Sequence, residues 1–114
     1  MPIDKAKIMA AEGKPVTFTY PTRRGVRRSR GVLRSRRIAW ADRKPRKGGA
    51  LYADVVDIIT FEGRREPRLR IGYYLRGPDG TQRWGSQTTI TERLLIWRRI
   101  LPALRRAMNE AGRM

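Results

Sequence analysis

The pattern of apolar and polar positions divides the chain into a short helix, about five strands and a longer helix. Residues 3–12 have apolar side chains at helical spacing, with Asp4 near the start and Gly13 where the helix would stop. The expected buried stripe of this helix consists of Ile3, Ala6, Met9 and Ala10. The chain is therefore predicted to begin with a short helix that packs through one side.

Alternating positions predict the first strands. Over residues 16–20 large apolar residues alternate with threonines, which is typical of a half-buried strand, and Pro21 is expected to end it. Arginines blur the pattern over residues 22–40, which predicts either one long strand or two short ones. Residues 41–49 have the Pro and Gly content of a loop.

The second half of the chain gives clearer strand patterns. Residues 51–61 are apolar on both faces and rich in β-branched side chains, which predicts a central strand. Residues 63–67 form a charged turn. Residues 69–75 and 82–88 predict a hairpin, because Pro, Asp and Gly at positions 77–80 suit a type I turn between them.

A final helix is predicted over about residues 90–111. Thr89 and Glu92 have the spacing of a capping box at its start, and Gly112 lies where the helix would end. Its apolar side would consist of Leu94, Trp97, Leu101, Leu104 and Met108, with Ile100, Ala103 and Ala107 beside them. Its opposite side would carry Arg98, Arg99, Arg105 and Arg106. Pro102 is expected to kink the helix or to begin a second segment.

Together these elements predict one α+β domain over residues 1–114. We expect a small antiparallel β-barrel or curled sheet of about five strands, with a short N-terminal helix and a longer amphipathic C-terminal helix. A chain of 114 residues suits one modest core. The basic segment 22–49 forms either part of the sheet or a flexible loop or arm.

The charge of the chain indicates the class of partner. Lys and Arg number 27 against 10 acids, so the formal net charge is +17. Such a charge attracts polyanions, and most of these cations are arginines, whose planar guanidinium suits phosphate and stacks on bases.

The positive charge is concentrated between residues 23 and 47. This segment has twelve basic residues against one acid, Asp42, and so accounts for +11 of the +17. The basic residues are Arg23, Arg24, Arg27, Arg28, Arg30, Arg34, Arg36, Arg37, Arg43, Lys44, Arg46 and Lys47. A solvated loop is the alternative, but internal ion pairs do not explain a segment with one acid. We therefore predict that these residues contact phosphates.

A second candidate surface comes from the register of the predicted hairpin. If Arg76 faces Thr81 across the turn, then Tyr74 faces Arg83. Every second side chain of a strand points to the same face of the sheet, so these residues and those two positions away lie on one face. That face would carry Arg68, Arg70, Tyr74, Arg76, Arg83 and Gln87 around Gly72 and Gly85. The other, core-facing side would carry Leu69, Ile71, Tyr73, Leu75, Trp84 and Ser86. Arginines beside an aromatic suit phosphate contact with base stacking. A plain solvent face is the alternative, and a one-residue slip would exchange the faces.

Residue types that are missing argue against an enzyme. The chain has no Cys and no His, which excludes the usual zinc sites, cysteine nucleophiles and Ser-His-Asp triads. Asp54 and Asp57 lie three apart in one strand and so point to opposite faces, where each is expected to pair with an arginine. Pro78-Asp79 resembles the start of a PD-(D/E)xK nuclease motif, but no acid-x-Lys follows, which favours a turn. We expect no catalytic residues, no metal and no cofactor.

The sequence thus predicts a nucleic-acid-binding protein, for DNA or RNA, that acts mainly through phosphate contacts. The alternatives are a small histidine-free endoribonuclease or nuclease, and a protein-interaction or assembly module that docks on an acidic partner. An exposed sheet edge would also permit a homodimer. No apolar run is long enough to span a membrane, and no signal-peptide pattern is visible, so a cytoplasmic protein is expected.

Overall fold

The computed structural model describes residues 2–85, apart from the side chain of Tyr20, and residues 94–114. The elements are α1 (Lys5–Met9), β1 (Pro15–Thr22), β2 (Gly25–Ala41), β3 (Leu51–Phe61), β4 (Arg68–Arg76), β5 (Gln82–Trp84) and α2 (Leu94–Ala111). The five strands form one antiparallel sheet in the order β1-β2-β3-β4-β5, curled into a half-barrel. The predicted α+β fold class is confirmed.

The strands follow the sequence pattern closely, with one departure at Pro21. β3 has the predicted bounds, and β2 is one long strand rather than two short ones. Pro21 does not end β1, which continues to Thr22. Because β1 is at the edge of the sheet, the missing N–H of a proline is tolerated there.

The N-terminal segment packs only partly through the predicted residues, because Ile3 is buried as expected but Ala6 and Ala10 are not. Asp4 caps α1 by accepting a hydrogen bond from the backbone N–H of Lys7, and Gly13 has a φ of 83° after the helix. Ile3 and Ile8 are buried, whereas Ala6 and Ala10 of the predicted stripe are exposed. Ile3 precedes the N-cap and Ile8 is the fourth helical residue. These are the two positions that form a hydrophobic staple, and they decide which side of a short helix packs.

The core lies on both faces of the sheet. On one face, here called the α1 face, Ile3 and Ile8 pack against Leu51, Ala53 and Val55. On the other, the α2 face, the packed residues are Val56, Ile58, Ala103 and Ala107. Burial on both sides explains why the sequence of β3 is apolar throughout rather than alternating.

The C-terminal helix is rotated relative to the prediction. The buried residues of α2 are Ile96, Ile100, Ala103 and Ala107. From the predicted stripe Leu94, Leu101 and Met108 are 68%, 57% and 57% exposed, while Trp97 and Leu104 are partly buried. The small alanines allow the helix to lie close to the sheet, so the side that contains them is buried.

Two other features of α2 agree with the sequence. The four arginines predicted for its solvent side are exposed, and the helix ends at Ala111, before Gly112. Pro102 lies inside one continuous helix, so the alternative that a second segment begins there was wrong. The predicted helix start at Ile90 and the capping box of Thr89 and Glu92 lie outside the described residues. None of the helices in the described ranges is long and apolar enough to cross a membrane.

The β4–β5 hairpin has a register one residue away from the predicted one. Tyr74 pairs with Trp84 and Leu75 pairs with Arg83. The connection has five residues rather than four, because the Gly77 N–H donates to the carbonyl of Thr81. Pro78-Asp79 is a turn as predicted. Trp84 therefore lies on the α1 face with Tyr74, and the prediction that Arg83 shares that face was wrong. The predicted hairpin positions Ser86 and Gln87 lie outside the described residues.

Candidate nucleic-acid interface

The β1–β2 hairpin projects beyond the rest of the sheet. The strand pairing between β2 and β3 ends at Gly31 and Phe61, so residues 17–22 and 25–30 form strand pairs only with each other. One further backbone hydrogen bond, from the Glu62 N–H to the Arg30 carbonyl, ties the base of this hairpin to the end of β3. We call residues 17–30 the β-arm. Its six residue pairs, at about 3.3 Å each, make a two-stranded ribbon roughly 20 Å long.

The tip of the β-arm is a tight turn at Arg23 and Arg24. Gly25 follows with a φ of 118°, a conformation that other residues rarely adopt. The Thr22 hydroxyl donates to the Gly25 carbonyl at 2.7 Å and accepts from the Arg24 N–H at 3.3 Å. The local sequence Thr-Arg-Arg-Gly therefore presents two adjacent arginines at the end of the ribbon.

All the arginines of the β-arm are exposed: Arg23, Arg24, Arg27, Arg28 and Arg30. Arg27 and Arg28 are neighbours along a strand and so point to opposite faces of the ribbon. Within residues 2–85 and 94–114, none of these five arginines forms an ion pair with an acid of the chain. Their charge is therefore available to an external anion.

One basic residue that the sequence analysis did not select joins this set. Arg64, in the β3–β4 turn, lines a groove of about 460 Å³ at the root of the β-arm. The other lining residues are Arg27, Arg28, Ser29, Arg30, Phe61 and Glu62. Arg64 and Arg65 are visible in the sequence as a charged turn, but only the sheet order brings that turn beside the arm.

The remaining exposed cations of the basic segment lie elsewhere. Arg34 is on the α2 face, where its Nε donates to the Thr60 hydroxyl at 2.8 Å. Arg43, Lys44 and Lys47 are exposed in the loop after β2. This loop is at the opposite end of β2 from the β-arm, so the structure does not bring these residues together with the arm.

Three of the predicted phosphate ligands are held by acids of the chain itself. Arg37 pairs with Glu110 at 3.4 Å, and Arg46 pairs with Asp42 at 2.7 Å. Arg36 is only 4% exposed and donates to both carboxylate oxygens of Asp57, at 2.8 and 3.0 Å. Burial opposes the charge of Arg36, but the hydrogen bonds and attraction of Asp57 outweigh it and raise its pKa.

The predicted Arg and Tyr surface of the hairpin is part of this packing. The Arg70 guanidinium lies 5.3 Å from the Phe18 ring and 4.6 Å from the Trp84 ring, and donates to Asp57 at 2.8 and 3.1 Å. The Tyr74 hydroxyl accepts from Arg36 at 2.7 Å, and its ring meets Trp84 edge-on. A side chain at Gly72 would collide with the indole of Trp84.

The α1 face of β4 is therefore a cluster around a buried carboxylate rather than an open platform. Arg68 is exposed beside this cluster, and Arg76 is partly buried. Asp57 pairs with arginine as expected, and from the central strand it binds two of them. Trp84, Phe18 and Asp57 are the members of the cluster that the sequence analysis did not place together.

Asp42 supports the loop that follows β2. Its carboxylate accepts from the Trp40 indole at 2.7 Å, from Arg46 at 2.7 Å and from the backbone N–H of Tyr52 at 3.0 Å. Burial alone would raise the pKa of Asp42, but these hydrogen bonds outweigh burial and lower it below its ordinary value of 3.8.

Replacing Asp42 with Asn is expected to cost about 1–3 kcal/mol of unfolding free energy at neutral pH, because charge-assisted hydrogen bonds are removed from a buried position. A carboxylate whose pKa is lower in the folded state stabilises above its unfolded pKa, and this stability is lost as pH falls through the folded pKa. The difference in unfolding free energy between the wild type and Asp42→Asn should therefore become smaller as the pH falls below 3.8. Urea unfolding of both proteins from pH 7 to pH 2.5 measures it, and a difference independent of pH would contradict this account.

Comparison with known proteins gives no match: no family model, no curated protein and no solved structure matches this chain. We therefore argue its function from geometry and charge.

Proposed function

We propose that this protein binds nucleic acid and that the β-arm is its principal contact with the phosphates. The observation that carries the proposal is the set of five exposed arginines on a projecting ribbon, none of which forms an ion pair with an acid of residues 2–85 or 94–114. Guanidinium groups match the geometry of phosphate oxygens and bind them through paired hydrogen bonds.

The shape of the β-arm supports a polyanion rather than a small anion. A single phosphate would be met by two or three converging cations in a pocket, whereas these arginines are spread along both faces of a ribbon roughly 20 Å long. A backbone with a phosphate at every nucleotide offers anions over the same length. A two-stranded ribbon also has the width that the major groove of DNA admits.

The charge of the rest of the molecule supports the same conclusion. Arg64 and Arg68 lie at the root of the β-arm and extend its positive surface onto the sheet. The net charge of +17 attracts a polyanion over long distances, and so raises the rate of encounter at low salt.

Binding to labelled single-stranded DNA, duplex DNA and single-stranded RNA at 50 and 200 mM salt tests the proposal. If five phosphates are neutralised, affinity should fall roughly 100- to 500-fold between these salt concentrations, because each neutralised phosphate releases counterions. A shallow dependence on salt, or no binding at 50 mM, would contradict the proposal.

The same samples distinguish the alternative functions. After incubation with and without Mg²⁺, a denaturing gel should show intact strands if the protein only binds. Shortened strands would favour the nuclease. An acidic protein that displaces saturating nucleic acid, with no preference for any type of strand, would favour the assembly module.

A further inference from the structure

Two phenylalanine rings form an open hollow at the root of the β-arm. Phe18 of β1 and Phe61 of β3 lie on the α1 face with ring centroids 5.4 Å apart and ring planes tilted by 55°. The hollow has a volume of about 230 Å³. Its lining residues are Phe18, Ser29, Phe61, Arg64 and Arg68.

Both rings are only partly buried, although they are large and apolar. The other residues that line the hollow are Ser29, Arg64 and Arg68, so no apolar side chain of the described residues other than the two rings lines it. Arg64 and Arg68 are exposed at the rim, and the Arg70 guanidinium lies 5.3 Å from the Phe18 ring. Aromatic surface bordered by cations suits a flat ring system that is attached to a negative charge.

The position of Arg70 is fixed before any ligand arrives. Asp57, which is fully buried, accepts two hydrogen bonds from this guanidinium, and the Trp84 ring centroid lies 4.6 Å from it. A cation held in this way keeps its place beside the Phe18 ring, so little conformational entropy is lost when a ligand stacks there.

We propose that this hollow receives one nucleobase of a single-stranded nucleic acid whose phosphates lie along the β-arm. The inference rests on the proposed function and names its substrate class. A base that is paired in a duplex is stacked on its neighbours and does not present a free face, whereas an unpaired base stacks on aromatic side chains. The volume is below the roughly 300–1,000 Å³ of pockets for drug-sized ligands, which suits one base rather than a larger molecule.

The test uses a fifteen-nucleotide oligo(dT) with one central 2-aminopurine, alone and annealed to its complement. Stacking on an aromatic ring quenches the fluorescence of 2-aminopurine. Binding of the single strand to the wild-type protein should quench the probe, and the single strand should bind more tightly than the duplex at equal salt.

Substitutions assign this preference to the two rings. Phe18→Leu combined with Phe61→Leu keeps apolar bulk but removes the flat faces, and should weaken single-strand binding roughly 5- to 100-fold with loss of quenching. Affinity for the duplex should stay within about twofold. Tyr73→Leu, which removes a ring from the α2 face, is the matched control. It should change neither the single-strand affinity nor the quenching. Phe18→Tyr keeps the ring and should retain both quenching and preference.

The outcomes separate this inference from the proposed function. If single strand and duplex bind equally, with steep salt dependence and no quenching, the base site is refuted and phosphate binding stands. If neither ligand binds, both fail. If the double variant does not fold, the wild type and Phe18→Tyr still test the inference. Both proteins must quench the probe and must prefer the single strand, and the absence of either result refutes the base site.

Discussion

Replacing Asp57 with Ala is expected to lower the free energy of unfolding by about 3–5 kcal/mol, because breaking a buried ion pair leaves an uncompensated charge. Asp57 is fully buried and accepts hydrogen bonds from two guanidinium groups, those of Arg36 and Arg70. A domain of this size has about 5–15 kcal/mol of stability in total, so the loss should bring the protein close to unfolding.

The two arginines contribute differently to this loss. Arg70 keeps 22% of its side-chain surface exposed and can turn toward water, whereas the Arg36 side chain is 1% exposed. The other hydrogen-bond partners of the Arg36 guanidinium are the Ile8 carbonyl and the Tyr74 hydroxyl, which are neutral. Most of the penalty is therefore expected to come from the buried charge of Arg36.

Urea unfolding followed by circular dichroism measures the effect. Glu66→Ala is the matched control, since it removes one negative charge from an exposed position in the β3–β4 turn and should change stability by less than about 0.5 kcal/mol. Equal destabilisation of the two variants would mean that net charge, rather than the buried pair, sets the stability. The double variant Asp57→Leu with Arg36→Met should be more stable than Asp57→Leu alone, because replacement of both members of a buried ion pair with apolar residues is often tolerated.

The sequence predicts most of the fold because strand signals are local. Residues 51–61 carry their own apolar pattern, so β3 was placed correctly without knowledge of its neighbours. Faces are harder to predict, because each turn or bulge that adds one residue reverses them. In the β4–β5 hairpin the connection has one residue more than predicted, so Trp84 and Arg83 lie on the faces opposite to those predicted.

The same physics explains why the sequence did not separate the exposed arginines from the structural ones. β2 has register shifts between Leu33 and Ser35 and between Ile38 and Trp40. Without the first of these bulges, simple alternation from Leu33 would place Arg37 on the α1 face. The bulge adds one residue, so Arg36 lies on that face instead and pairs with Asp57. No local pattern distinguishes Arg34, Arg36 and Arg37, yet one is exposed, one is buried and one pairs with α2.

Replacing the four arginines nearest the tip of the β-arm with Ser is expected to abolish most nucleic-acid binding. The variant carries Arg23→Ser, Arg24→Ser, Arg27→Ser and Arg28→Ser. Removing one phosphate-binding arginine should reduce the slope of log affinity against log salt by about 0.7–0.9, so removing four should flatten it by about 3 units. At 100 mM salt the affinity should fall by roughly 100-fold or more.

Stability should not change with this variant. The four side chains are exposed, and none of them forms an ion pair with an acid of residues 2–85 or 94–114. Removing four like charges also reduces self-repulsion. The melting temperature should therefore equal or slightly exceed that of the wild type, which separates a loss of binding from a loss of folding.

A matched variant distinguishes the β-arm from bulk charge. Changing Arg98, Arg99, Arg105 and Arg106 to Ser removes the same four charges from the exposed side of α2. If net charge alone attracts the nucleic acid, both variants should weaken binding equally. If the arm holds the phosphates, the α2 variant should keep nearly the wild-type salt slope and show only the small effect of weaker long-range attraction. Counterion release depends on the number of phosphates neutralised rather than on the total charge of the protein. If the slope of log affinity against log salt is equal in the two variants, the β-arm is therefore not the principal phosphate contact.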